Sequence, residues 1–189
     1  MRLILASASP RRKEILLSAG FDFEICPSPI DEAPLAGERP EGYARRVACA
    51  KALSVAASVA RGSLVLGADT IVVAGDEILG KPQDAADAGR MLRKLSGISH
   101  QVITGVCLVR APDEVIALTH ETTWITFRAL DDEEIADYVA SGEPMDKAGA
   151  YGIQGLACKF VTRVEGCYFN VVGLPVALVY GLLKPFIPK

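Results

Sequence analysis

Short apolar runs alternate along this chain with stretches whose apolar positions recur at helical spacing. Residues 2–6, RLILA, predict a short buried strand. SPRRKEILLSAG then predicts a short helix, with Ser9 as cap, Pro10 as first helical residue and Gly20 as stop. FDFEICPS reads as a second strand ended by Pro27 and Pro29, and the Pro/Gly-rich, acidic PIDEAPLAGERPEG as a loop. A long helix follows over roughly residues 40–60, with an inward stripe of Ala44, Val47, Ala48, Lys51, Val55 and Val59. GSLVLGADTIVVAGDEILGKP holds two apolar runs and an AGDE turn. DAADAGRMLRKLSG is a helix capped by Asp84 and stopped by Gly97. HQVITGVCLVR and EVIALTHETTWITFRAL read as strands joined around Pro112 and Asp113. Asp131 with Glu134 makes a capping box for DDEEIADYVASG. The loop EPMDKAGAYGIQG, a strand pair around Glu165-Gly166 and a helix begun by Pro175 complete the chain. Strands and helices mix without strict alternation, which predicts an α/β fold: a mixed sheet with helices on its faces.

The 189 residues suit one domain spanning 1–189, or two small lobes sharing one core, and 50% hydrophobic residues allow a sizeable interior. The net charge of −3 excludes a global attraction to nucleic acid or to an anionic membrane surface, so any anion site is local. Cys26, Cys49, Cys107, Cys158 and Cys167 are odd in number and scattered, without a CxxC pair, and only His100 and His120 could join them. A zinc site does not fit this inventory; free, mostly buried thiols in a reducing compartment do. The first apolar run is too short for a secretory signal, and no stretch has the length of a membrane span. The expectation is a soluble cytoplasmic protein.

Particular residues sit oddly in this pattern. Arg11, Arg12 and Lys13 occupy the first turn of a helix, the end where cations are disfavoured. Either they splay into water or something negative belongs there. Asp69 lies between two apolar runs, where a carboxylate needs a partner; Gly67 beside it offers the plainer reading of a bend. Lys51 interrupts an apolar stripe, either snorkelling out or facing a shared anion. Lys81 precedes Pro82, which holds it extended. Glu32 lies in a loop beside Asp31. In AGAYGIQG, three glycines allow close backbone approach to a ligand, and Gln154 offers both a donor and an acceptor to a base edge. Neither the phosphate-loop nor the dinucleotide glycine motif is present. Together these residues suit a site for a metal-bound polyphosphate, with cations and helix amides on phosphate oxygens and carboxylates on Mg²⁺ or Mn²⁺.

The chain resembles the Maf family of nucleoside triphosphate pyrophosphatases over nearly its whole length. The resemblance rests on LASASPRR, the pair Asp31-Glu32, the Lys51 helix, GADTIV, GKPQD, LSGISHQVITGV, and DKAGAYGIQG followed by YFNVVGLP. It implies cleavage of a nucleoside triphosphate between its α and β phosphates. It also implies an elongated, inosine triphosphatase-like α/β fold with a deep cleft between two lobes. AGAYGIQG and the later VVGLP stretch resemble the branch acting on dTTP and UTP, not the branch preferring 7-methyl-GTP. By resemblance Asp69 is the catalytic proton acceptor. Arg11, Thr70 and Gln154 match positions tied to substrate choice, and Ser7, Arg12, Glu32, Lys51 and Lys81 match the rest of the cleft. Cys167 stands where serine is more usual.

The mechanism this suggests has a triphosphate against Arg11, Arg12, Lys51, Lys81 and the first helix, with a divalent ion on Glu32 and Asp69. Asp69 takes the proton of the attacking water. The rival readings are a nucleotide-sensing or septum-associated protein without turnover, and an enzyme of different base specificity. Family members often pair as homodimers. A nucleic-acid-binding module would need a basic surface and stacking aromatics, which this chain lacks.

Overall fold

The first apolar run becomes β1 (Leu3–Leu5), buried along its whole length. It runs parallel to β2 (Glu24–Ile25) on one side and to β3 (Leu64–Ala74) on the other. The computed structural model describes residues 2–187. Its sheet has seven strands in the order β2-β1-β3-β5-β6-β7, with β5 at Ser99–Arg110, β6 at Glu114–Phe127 and β7 at Val161–Glu165. The short β4 (Glu77–Leu79) pairs antiparallel with the end of β3 across the AGDE turn, where Gly75 has φ +60°. β7 is antiparallel to β6, with Trp124 opposite Glu165. Parallel and antiparallel pairs therefore share one sheet, and the fold is mixed α/β.

The helices are α1 (Pro10–Ser18), α2 (Pro40–Ala56), α3 (Ala85–Leu95), α4 (Asp132–Ala140), α5 (Tyr168–Val172) and α6 (Val176–Leu183). Ser9 caps α1, Asp84 caps α3 and the Asp131/Glu134 capping box opens α4, as their side-chain chemistry requires. Two expectations fail. The second strand shrinks to two residues, and the expected strand after Gly166 is α5 instead. Asn170 explains the latter: its Nδ2 donates to the Val102 carbonyl (2.9 Å) and to Thr123 Oγ1 (3.0 Å), and Thr123 Oγ1 donates to the Cys167 carbonyl. A buried amide with partners on two strands fixes a turn of helix that apolar pattern alone reads as extended.

The chain divides into two compact units. The first holds the residues up to Thr70, Thr104–Glu121 and those from Gly173 on; the second holds Ile71–Ile103 and Thr122–Val172. The core of the first includes Ile4, Ala48, Ala52, Val55, Val65, Cys107 and Val109. Gly67 on β3 and Gly105 on β5 are essential there, because a Cβ on Gly67 would overlap the Ala48 carbonyl and one on Gly105 the Ala44 carbonyl. Gly67 is thus not a bend but a point where α2 lies directly on a straight strand. The second unit packs Val72, Leu79, Leu92, Leu95, Phe127, Tyr138 and Phe160 together. Of the five cysteines, all free, only Cys107 is fully buried, fewer than expected. Among the described residues no helix is long and apolar enough to cross a membrane.

Candidate active site

Asp69 lies two residues beyond Gly67 and so shares its face of β3, the face on which α2 rests. Lys51 lies one turn beyond Ala48 on the inward stripe of α2. The glycine contact therefore sets the two side chains against each other: Lys51 Nζ donates to Asp69 Oδ1 at 2.7 Å. The same ammonium meets Glu32 Oε1 at 2.8 Å. Lys51 is 8% exposed and Asp69 5%, whereas the Glu32 side chain is about half exposed (51%). Lys51 does face inward, but its partners in the folded chain are the two acids.

Arg12 is the second buried cation, 8% exposed. Its Nε donates to the Gly173 carbonyl at 2.8 Å, Nη1 to Ser7 Oγ at 3.0 Å and Nη2 to Thr70 Oγ1 at 3.0 Å. Ser7 Oγ also accepts from the Ser9 amide, tying the β1–α1 connection to the guanidinium. Thr70 Oγ1 further meets Thr104 Oγ1 at 2.9 Å. Burial pulls the Arg12 guanidinium below its usual range; the charges of Asp69 and Glu32 act against that shift and Arg11 adds to it. All three partners of Arg12 are neutral. Of the first-turn cations only Lys13 is fully exposed; Arg11 is half-buried.

Two residues that gave no sequence signal hold the Glu32 loop. Tyr43, on the inward face of α2, donates its hydroxyl to the Glu32 carbonyl at 2.7 Å. Burial, with the charges of Asp69 and Glu32, pushes that hydroxyl up to about 12, so it remains a donor throughout the neutral range. Arg46 forks onto both oxygens of Glu38 at 2.7 Å and reaches the Ala33 carbonyl at 3.2 Å. α2 thus grips Glu32 twice, through its backbone by Tyr43 and through its carboxylate by Lys51.

Ser7, Arg11, Arg12, Glu32, Lys51, Asp69 and Thr70 all belong to the first unit; Lys81 and Gln154 belong to the second. A family model described as Maf-like protein matches residues 2–186. The chain belongs to the Maf family. Among curated relatives, a dTTP/UTP pyrophosphatase of Koribacter versatilis (strain Ellin345) is 54% identical over 97% of this chain and 94% of its own length. One from Geobacter sulfurreducens is 53% identical over 94% and 93%, and one from Aquifex aeolicus 48% identical over 97% and 95%.

In the second unit of this Maf-like protein, Lys81 is exposed just beyond β4, and Gln154 is exposed at the turn Ile153–Gly155. The glycines around Gln154 answer to the protein itself. A Cβ on Gly149 would lie 2.8 Å from Val72, and one on Gly155 would overlap the Glu143 carboxylate. Ala150, with φ +58°, holds the left-handed conformation beside Gly149 without glycine's freedom. Tyr151 is buried, its hydroxyl 2.9 Å from His100 Nε2. Both rings meet Phe127 edge-on, with centroids 4.8 and 5.0 Å away.

Proposed function

We propose that this protein hydrolyses dTTP and UTP between the α and β phosphates, releasing the nucleoside monophosphate and pyrophosphate. The observation that carries this reading is the pairing of Lys51 with both Asp69 and Glu32, in the same unit as a buried arginine whose three partners are neutral. A buried cation without a bonded counter-charge is costly in a resting fold and becomes favourable when an anion arrives. The relatives named dTTP/UTP pyrophosphatase, matched end to end at about half identity, support the choice of substrate.

Arg12 and Arg11, with the first amides of α1, bind phosphate oxygens. Lys51 moves its charge from the acids toward the triphosphate as it binds. Asp69 accepts the proton of the attacking water; its Oδ1 is engaged by Lys51, and Oδ2 is the atom we assign to that proton. Positive groups stabilise the charge gathering on the departing pyrophosphate. Lys81 is assigned to phosphate and Gln154 to the base, since a primary amide offers an acceptor to the N3–H and a donor to the carbonyl of a uracil-type edge. The site chemistry also fits a divalent cation. Glu32 and Asp69 are hard oxygen donors from different elements that already converge on one ammonium. Among the described residues no group of three His, Cys, Asp or Glu side chains gathers into a metal site. Two carboxylates completed by substrate oxygens is a common way to hold Mg²⁺. An ion there would supply further positive charge on the phosphates.

The test is pyrophosphate release from dTTP, UTP, CTP, GTP and 7-methyl-GTP with Mg²⁺ or Mn²⁺, the wild type beside Asp69→Asn. We expect dTTP and UTP to lead and the variant to lose roughly 10²–10⁴ in kcat with nucleotide affinity largely kept. Near-normal turnover in the variant rejects the role of Asp69. Tight binding without turnover under either metal makes the protein a nucleotide sensor instead.

A further inference from the structure

The turn that presents Gln154 is closed on itself by two side chains to which no role has been assigned so far, Tyr138 and Glu143. Gly152 N–H donates to the Tyr138 hydroxyl at 3.3 Å; that hydroxyl donates to Glu143 Oε1 at 2.9 Å; Leu156 N–H donates to Glu143 Oε2 at 2.9 Å. The two ends of the segment 152–156 thus meet on one relay. Between them the Gly155 amide bonds the Gly152 carbonyl at 3.0 Å, which leaves Ile153 and Gln154 at the tip. The relay is itself held. Tyr138 is buried with its ring edge-on to Phe160, and the Glu143 amide bonds Ser141 Oγ. Lys147 donates to the Glu143 carbonyl at 2.6 Å, while its carbon chain fills the space that a Cβ on Gly152 would need. Tyr151 is pinned just before the turn by His100.

We propose that Tyr138 and Glu143 are positioning residues for base selection. They fix the backbone from which Gln154 reaches the base, and so set which base edge is accepted. The inference rests on the base-reading role proposed for Gln154. Its physical basis is the promiscuity of an amide. On a free turn the side chain samples many positions, and its carbonyl and NH₂ complement any edge that offers a neighbouring donor and acceptor. On a clamped turn only one placement of the edge satisfies both. Rigid glycine contacts, a carboxylate accepting two hydrogen bonds and a buried phenol are a costly way to build a loop that only joins two elements. They suit a loop whose tip must be held in place.

The experiment compares Tyr138→Phe, Glu143→Gln and Gln154→Ala with the wild type. It reads the ratio of kcat/KM for UTP to that for CTP and GTP, and hydrogen exchange at the Gly152 and Leu156 amides. Thermal melts show which variants fold, and Glu143→Gln carries the test if Tyr138→Phe does not. We expect faster exchange at both amides in the clamp variants, with the UTP preference falling about tenfold, the scale of one lost hydrogen bond. Clamp variants that keep the wild-type ratio, or that lose activity equally on every nucleotide, while Gln154→Ala collapses the ratio, overturn the inference and leave the role of Gln154 standing. A wild-type ratio in Gln154→Ala rejects the base-reading role and this inference with it.

Discussion

Arg12 places each of its bonded nitrogens on a different, neutral partner, and that arrangement can be tested without removing its charge. Lysine keeps the cation but cannot span Gly173, Ser7 and Thr70 at once. Arg12→Lys is therefore expected to lower unfolding free energy by about 2 kcal/mol in urea titrations, since charge-assisted bonds are lost in a buried place. Unchanged stability with weakened nucleotide binding would mean that the guanidinium serves the ligand alone. The sequence did not reveal this clamp. Three basic residues after Ser-Pro left open whether they splay into water or meet an anion, and neither reading names the neutral partners of Arg12, which lie up to 161 positions away. Lys51 was easier to read, because a charge on an apolar stripe at helical spacing leaves a visible interruption. Tyr43 left none: a tyrosine on a helix face looks like ordinary core, and its task depends on which carbonyl meets its hydroxyl.

At the scale of elements, the placement of α2 on β3 and β5 governs the first unit. Gly67→Ala would drive a methyl into the Ala48 carbonyl. We expect it to destabilise by about 3 kcal/mol, visible as a large fall in Tm, and to separate Lys51 from Asp69 with loss of turnover. Gly181 in α6 is the contrast: a methyl there meets open space within a regular helix. Gly181→Ala should stabilise by about 0.5–1 kcal/mol in the same assay. A Gly67→Ala protein as stable as wild type would show that helix and strand can part freely. Helix caps and the AGDE turn were legible because their chemistry is local: Asp84, Asp131 and Ser9 bond amides three residues on. The segment after Gly166 was not, because Asn170 bonds groups 47 and 68 residues away. The glycines of AGAYGIQG were noticed for close backbone approach, but the sequence did not name the protein groups that approach them, Val72, Lys147 and Glu143.

For the whole molecule, acid is the informative perturbation. Burial pulls His100 down to about 4 in the folded chain, against an ordinary value near 6.5. Below pH 6.5 the unfolded chain takes up a proton that the folded one does not, so stability falls as pH falls toward 4 and is fully present above pH 6.5. The expected loss between pH 8 and pH 5 is about 2 kcal/mol in urea unfolding, and replacing His100 with Gln should flatten that stretch of the profile. A second loss follows at lower pH. Glu134, forked onto Arg128 at 2.5 and 2.8 Å, is held down to about 2 and gives up its contribution below the ordinary carboxylate range. A profile flat from pH 8 to 5 in the wild type would mean that His100 reaches water before it titrates. The mixed sheet and its flanking helices were readable from the order of strands and helices. Two lobes were among the expectations, but where the chain divides was not legible, because three of the boundaries fall inside strands β3, β5 and β6, where the apolar pattern runs on without a break.

The bare contact of α2 with Gly67 and Gly105 also bears on stiffness. Between helix and strand at those points there is main chain against main chain, with no layer of rotatable side chain to act as a cushion. Elsewhere in the core, side chains can hop between rotamers and let neighbouring elements drift with temperature. Here the spacing is set by covalent geometry and cannot be compressed. Lys51 and Asp69 hang from the two sides of that contact, one helical turn and one strand pleat away. Their separation should stay constant on warming until the unit itself melts.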